Sequence, residues 1–298
     1  MQFFPVYSLF EVEPVRGRGC HLYTADGRRW LDLYGGHGVI SIGHAHPRWV
    51  GALVEQAQAL PFYSNSVQNP LHAPLLEAFA RLTGLDDYQL FLCNSGAEAN
   101  ENALKLASFH TGRQRVVAFE AGFHGRTSAA LQATHNCAAK APLNSGMPVT
   151  FLPLNDAGTV ARALAAGDVA AVIVEGIQGI GGVHVPEPAF LQEVRRLCTE
   201  HDVPLILDEV QSGFGRSGRF FAFEHAGIRP DLITMAKGMG NGFPVGGVLI
   251  HPRFAARPGL LGTTFGGNHL ALAVVTAVLE TIAQEQLMAQ AEKTGRYL

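Results

Sequence analysis

Lys237 lies in PDLITMAKGMGNGFPVGG, directly after an apolar run and directly before a string of glycines. Burial penalises an ammonium, so a lysine held among apolar neighbours has a depressed pKa. Such an amine suits a Schiff base. A surface lysine is the ordinary alternative for any single Lys, and this context fits it poorly. Two competing motifs fail on spacing. GxxxxGK[ST] is absent because Ala236 precedes Lys237 and Gly238 follows it. GMGNG does not extend to G-x-G-x-x-G because Phe243 occupies the third glycine's place.

Asp208 ends an apolar run in PLILDEVQSGFGRSG. An unpaired carboxylate is costly to bury there, so it needs a cation. A protonated pyridine nitrogen would serve, and such pairing keeps the ring an electron sink. A structural ion pair with an arginine such as Arg216 or Arg219 is the alternative. In NSGAEAN, residues 94–100, an apolar run ends, Ser95-Gly96 turn the chain and a helix starts near Ala97. Free N–H groups and the helix dipole then make a phosphate cradle. Alternatively, Ser95 is only an N-cap with Glu98 in the first turn.

The elements that must position these groups read as alternating strands and helices. Apolar runs at 89–94, 115–120, 149–154, 169–175, 204–208, 232–236 and 245–250 predict seven strands, several of them continuous Val/Ile/Leu runs covered on both faces. Helical spacing appears at 97–110 and 188–201, and helices are also expected around 50–60 and 71–83. The alternation predicts an α/β fold with a mostly parallel central sheet flanked by helices. Ligands of such sheets bind beyond the carboxyl ends of the strands, where Ser95-Gly96, Glu175, Asp208 and Lys237 all fall. Before them, GCHLYTADGRRWLDL reads as a hairpin turning at Asp26-Gly27. The expected division is 1–50 as the N-terminal part of a small lobe, 51–268 as the large domain, and 269–298 as a linking helix. That helix would lead to a C-terminal lobe absent from this chain, leaving the cleft open, Glu175 without a cation and the apolar face at 270–279 exposed.

Composition narrows the class. Hydrophobic residues make up 47% and charged residues 16% of the 298 positions, and the formal charge is −3 without a long basic run. That describes a well-buried globular chain with no nucleic-acid or membrane-surface partner. Cys20, Cys93, Cys137 and Cys198 form no C-x-x-C, so neither a disulfide framework nor a cysteine zinc site is expected. His44 and His46 form an H-x-H pair with no third ligand apparent, and no metal is expected. The N-terminus lacks the basic start and apolar core of a secretory signal, which predicts a cytoplasmic protein.

The segments SGAEAN, FHGRT, EGIQG, LDEVQSGFGRSG, AKGMGNGFP and GTTFGGN occur here in one order across nearly the whole chain. As a set they resemble the class III, or ω-amino-acid, aminotransferases, and within them most closely the acetylornithine aminotransferases. The resemblance implies a fold-type I enzyme dependent on pyridoxal 5'-phosphate (PLP), working as a homodimer with shared active sites. Lys237 would carry the cofactor and move the substrate proton. Asp208 would pair with the pyridinium nitrogen. Val210 and Gln211 would pack near the ring and Phe123 would stack on it. Gly96 and Ala97 would hold the phosphate, joined by Thr264 of the neighbouring subunit, with Thr263 nearer the substrate. Arg126 would grip the substrate α-carboxylate, a planar anion suited to a guanidinium fork. Glu175 would gate the substrate side. His124, beside Phe123 in sequence, reads as a supporting residue. Gly176 departs from many relatives, which carry Pro there. The implied reaction moves the δ-amino group of N2-acetyl-ornithine, or another N-acyl-ornithine, to 2-oxoglutarate in arginine biosynthesis. Succinylornithine, ornithine and 4-aminobutyrate aminotransferases, or a catalytically silent PLP-fold binding protein, are the competing expectations.

Overall fold

The computed structural model describes residues 1–135 and 138–298. Cys137 lies outside the described residues. An antiparallel three-stranded sheet opens the chain: β1 (Pro14–Arg18), β2 (His21–Thr24) and β3 (Arg29–Leu31). The expected hairpin is its second half. Gly27 takes φ +83° and donates its N–H to Thr24 O (3.0 Å), a conformation that an L side chain would strain. β1 carried no alternating pattern to announce it.

All seven predicted strands form one sheet. They are β4 (Gln89–Cys93), β5 (Arg115–Phe119), β6 (Val149–Leu152), β7 (Val169–Glu175), β8 (Leu205–Asp208), β9 (Leu232–Met235) and β10 (Gly246–Ile250), in the order β4-β10-β9-β8-β7-β5-β6. β10 pairs antiparallel with both β4 and β9, while the pairs from β9 to β6 are parallel. β7 and β8 are buried throughout. Their alternate residues divide between two hydrophobic clusters, Val172, Val174, Leu205 and Leu207 in one and Ala171, Ile173 and Ile206 in the other. Both faces are therefore covered, and the uninterrupted apolar runs follow from that.

Register places the chemistry. Glu175 pairs with Asp208, and Asp208 with Thr234, so the carboxyl ends of β7, β8 and β9 lie side by side. Lys237 follows three residues after Thr234 in a short 3-10 turn, Lys237–Met239. The helix Gly96–Thr111 starts after β4 with Ser95 as N-cap, its Oγ accepting the Glu98 N–H (3.2 Å). Such a cap contributes about 1 kcal/mol.

The end of the chain corrects two expectations. Instead of one linking helix over 269–298, the segments His269–Gln284 and Leu287–Tyr297 form separate helices bent by 62°. Gln286 sits at the break in the left-handed region (φ +52°). The apolar face at 270–279 is not exposed. Ala271, Leu272, Val274, Val275, Ala277, Val278 and Leu279 are buried, and the helix packs on the helices Pro47–Ala59 and His72–Thr83. No single helix among the described residues is long and apolar enough to cross a membrane.

Candidate active site

A cleft of about 530 Å³ opens over the carboxyl edge of the sheet, lined among others by Gly96, Ala97, Phe123, Arg126, Glu175, Asp208, Val210, Gln211 and Lys237. Nine predicted site residues, drawn from five stretches of sequence, thus meet in one place. Thr263 and Thr264 do not. Thr263 Oγ1 accepts the Gly266 N–H (3.0 Å) and contacts Asn94 Nδ2 (3.4 Å), lining a separate cavity, while Thr264 is exposed.

Asp208 is 3% exposed, and its partners are not the arginines considered above. Oδ2 meets His124 Nδ1 (2.8 Å) and accepts from Asn100 Nδ2 (2.8 Å), and Oδ1 accepts the Val210 N–H (3.0 Å). Arg216 instead donates to the backbone carbonyls of Gln211 and Gly38. Burial pulls the His124 pKa down, but the hydrogen bond and charge of Asp208, with the charge of Glu175, carry it above the ordinary histidine value. His124 and Asn100 are therefore the residues the motif reading undervalued. Asn100 closes SGAEAN four residues after Gly96, one helical turn on and so on the same face, which was a usable signal.

Glu175, 5% exposed, was expected to need a cation. Its oxygens are held instead by backbone donors, Phe123 N–H on Oε1 (2.8 Å) and Gly179 N–H on Oε2 (3.3 Å). Burial pushes its pKa up to about 7, against smaller opposing effects of the His124 charge and these N–H groups. Gly176 has a local reason. A Cβ there would lie 2.3 Å from Glu209 Oε1, a buried carboxylate that also accepts from Ser212 Oγ and the Ala222 and Phe223 N–H groups.

The Lys237 pKa is lowered by burial, with Arg216 adding to the effect and Asp208 and Glu175 opposing it. Its amine forms no hydrogen bond or ion pair among the described residues, so it is not committed to a structural role. Lys237 itself takes φ +46°. Arg126 is exposed at the mouth, its Cζ 5.6 Å from the Tyr7 ring centroid.

The arrangement fits an aromatic phosphate ester. The N–H groups of Gly96 and Ala97 find no partner among the described residues and open a sixteen-residue helix into the cleft. Gly96 leaves the wall free of side chain, since a Cβ there would lie 2.7 Å from Val210 Cγ1. Asn100 Oδ1 is buried in the cleft floor without a partner. Asp208 Oδ1 bonds only one donor, leaving room for a ring N–H. The H-x-H histidines are bound elsewhere, His44 to Asp32 (2.7 Å) and His46 to Glu285 (2.9 Å).

The family model "Aminotransferase class-III" matches residues 5–298. Acetylornithine aminotransferase of Methanopyrus kandleri is 43% identical over 293 residues, covering 97% of this chain and 75% of that protein. The protein of the same name from Bacillus subtilis is 39% identical over 300 residues, covering 99% and 77%. Among solved structures, ornithine aminotransferase from Toxoplasma gondii superposes with a TM-score of 0.92 at 32% identity, covering 98% of this chain and 71% of that one. Acetylornithine aminotransferase from Elizabethkingia anophelis gives 0.85 at 34% identity, covering 98% and 74%.

Proposed function

Since the chain belongs to the class III aminotransferases and is a PLP-dependent transaminase, we propose that it transfers the δ-amino group of N2-acetyl-ornithine to 2-oxoglutarate. The products are the N-acetyl-glutamate semialdehyde and glutamate. The observation that carries this reading is the meeting of an uncommitted, pKa-depressed lysine, a buried aspartate and an open helix N-terminus in one cleft.

Bound in the cleft, PLP would supply an electron sink for the reacting carbon of the substrate. Gly96 and Ala97 would hold the phosphate with their N–H groups, and Asp208 Oδ1 would favour the protonated ring nitrogen. His124 and Asn100 keep that carboxylate turned toward the ring. Phe123, Val210 and Gln211 line the cleft, where Phe123 would stack on the ring and the other two would pack near it. Lys237 Nζ would carry the cofactor, and its amine would take and return the substrate proton. Arg126 binds the α-carboxylate common to donor and acceptor. Glu175 lies on the substrate side, where a group titrating near neutrality can meet either an amine or a carboxylate.

Thr264 is exposed and does not line its own cleft, which supports a role at the cofactor phosphate of a second subunit, with Thr263 beside the substrate. We take the working unit to be a homodimer with two shared sites, acting in the cytoplasm. The test of the substrate is a steady-state comparison of N-acetyl-ornithine, N-succinyl-ornithine and ornithine as donors. The acetyl compound should give the highest kcat/KM. Preference for free ornithine would transfer the reading to the ornithine enzymes, whose T. gondii member superposes well.

A further inference from the structure

The turn that carries Lys237 is held from outside itself. Lys237 (φ +46°) and Asn241 (φ +48°) both occupy the left-handed region that non-glycine residues rarely adopt. The turn's own bonds, Met239 N–H to Ala236 O (2.9 Å) and Gly240 N–H to Lys237 O (3.0 Å), do not involve the Asn241 side chain. That amide crosses to the segment 41–43. Its Oδ1 accepts the N–H groups of Ser41 (2.9 Å) and Ile42 (3.1 Å), and its Nδ2 donates to Gly43 O (3.0 Å). Two further bonds run the same way, Ser41 Oγ to Gly238 O (2.7 Å) and Trp49 Nε1 to Gly240 O (3.0 Å).

The other end of this segment is tied to the ring side of the cleft. Gln211 Nε2 donates to His37 O (2.9 Å) and Arg216 Nη2 to Gly38 O (2.7 Å). His37 and Lys237 line the same cleft. Residues 37–43 therefore form a strap fastened to Gln211 and Arg216 at one end and to the lysine's turn at the other. Packing leaves little slack, since a Cβ on Gly238 would meet Ser41 Cβ at 3.3 Å.

We propose that Asn241 is a positioning residue for Lys237: its amide clamps the strap onto the lysine's turn, holding the turn in its left-handed form and keeping water from that side of the amine. The inference rests on the reading of Lys237 as the cofactor-carrying lysine. Only an amide supplies both the two acceptor bonds and the donor bond found here. An aspartate would set a carboxylate against Gly43 O. A glycine would keep the backbone conformation and delete the clamp alone.

The groups facing the amine are Asp208 from β8, Glu175 from β7 and Arg216 from the loop after β8, with His37, His124 and Arg126 in the same cleft. Burial is the largest influence on Lys237. A loosened strap admits water, so the amine's titration midpoint rises. The two carboxylates act in the same direction once burial weakens.

The full chain, freed of cofactor, is labelled with trace acetic anhydride across a pH series, and modification of Lys237 is followed by peptide mass spectrometry. Exposed Lys293 is the internal reference. Asn241→Gly should raise the Lys237 midpoint by about half a pH unit or more, leaving Lys293 unmoved. Ser41→Ala, which removes one of the five bonds, should give a smaller shift in the same direction. A folded Asn241→Gly protein with the wild-type Lys237 midpoint overturns the proposal. Should that variant not fold, Ser41→Ala decides: a raised midpoint supports the clamp and an unmoved one overturns it. In the cofactor-free chain, labelling reads the amine whether or not carrying the cofactor is its role. The carrier role is tested separately by Lys237→Ala, so the two failures are distinguishable.

Discussion

At the floor of the cleft the buried carboxylates are engaged: Asp208 bonds His124, Asn100 and the Val210 N–H, and Glu175 bonds two backbone N–H groups. At the rim Arg126 is exposed, and so, off this cleft, are Thr264 and its chain neighbour Phe265, the latter by 61%. The floor is built on strand ends whose register is set by ladder hydrogen bonds, so its geometry exists before any ligand arrives. The rim is built on loops, where side chains take their working positions only against substrate or another chain. Substitutions in the floor should therefore act on turnover, and substitutions at the rim on binding and assembly.

The sharpest break in the floor is Lys237→Ala. Turnover should fall by at least ~10³-fold, because no other amine in the cleft can move the proton. The cofactor should still bind noncovalently through the phosphate contacts, as equilibrium dialysis would show. Normal turnover would remove Lys237 from the mechanism. Asp208→Asn should lower kcat by roughly 10²-fold with PLP retained, since a neutral amide no longer favours the protonated ring nitrogen. An unchanged kcat would make the His124–Asp208 pair structural only.

At the rim, mixing inactive Lys237→Ala and Thr264→Ala subunits should restore part of the activity, because each heterodimer contains one site with both lesions and one with neither. No recovery despite subunit exchange confirmed by native mass spectrometry would place Thr264 in its own subunit's site. Arg126→Lys should raise KM for donor and acceptor together by about tenfold, with kcat less affected, since an ammonium cannot copy the guanidinium fork. An effect on only one half-reaction would separate the two carboxylate sites.

The smallest effect concerns stability. Burial raises the pKa of Glu209 from 4.5 to about 7, so the folded state binds its proton more tightly than the unfolded state does. Between those values folding takes up a proton, and stability falls as pH rises from about 4.5 to about 7. Glu175 adds to the same slope. Urea unfolding across that range should show a shallower decline for Glu209→Gln than for the wild type. Equal slopes would show that Glu209 titrates normally.

The seven strands of the main sheet were legible because both faces of β7 and β8 are covered, and such strands must be apolar at every position. The meeting of Glu175, Asp208 and Lys237 was legible for a related reason, as each ends or follows such a run. The break at Gln286 was not. It has neither Gly nor Pro to mark it, and the bend is set by how two helices pack. The burial of the face at 270–279 was equally hidden, since an apolar stripe does not say what covers it.

Residue order alone therefore determined the fold class, the strand ends that carry polar groups and the family to which the motifs belong. Only the tertiary structure decided which groups those residues answer to. Asp208 bonds His124, 84 positions away, rather than Arg216. Glu175 takes N–H groups from Phe123 and Gly179 rather than a cation. Asn241 reaches Ser41 across 200 positions. Local patterns record whether a side chain is covered, because solvent exclusion acts on every residue of an element. A hydrogen-bond partner is a matter of a few ångströms between segments distant in sequence, and no spacing along the chain encodes it.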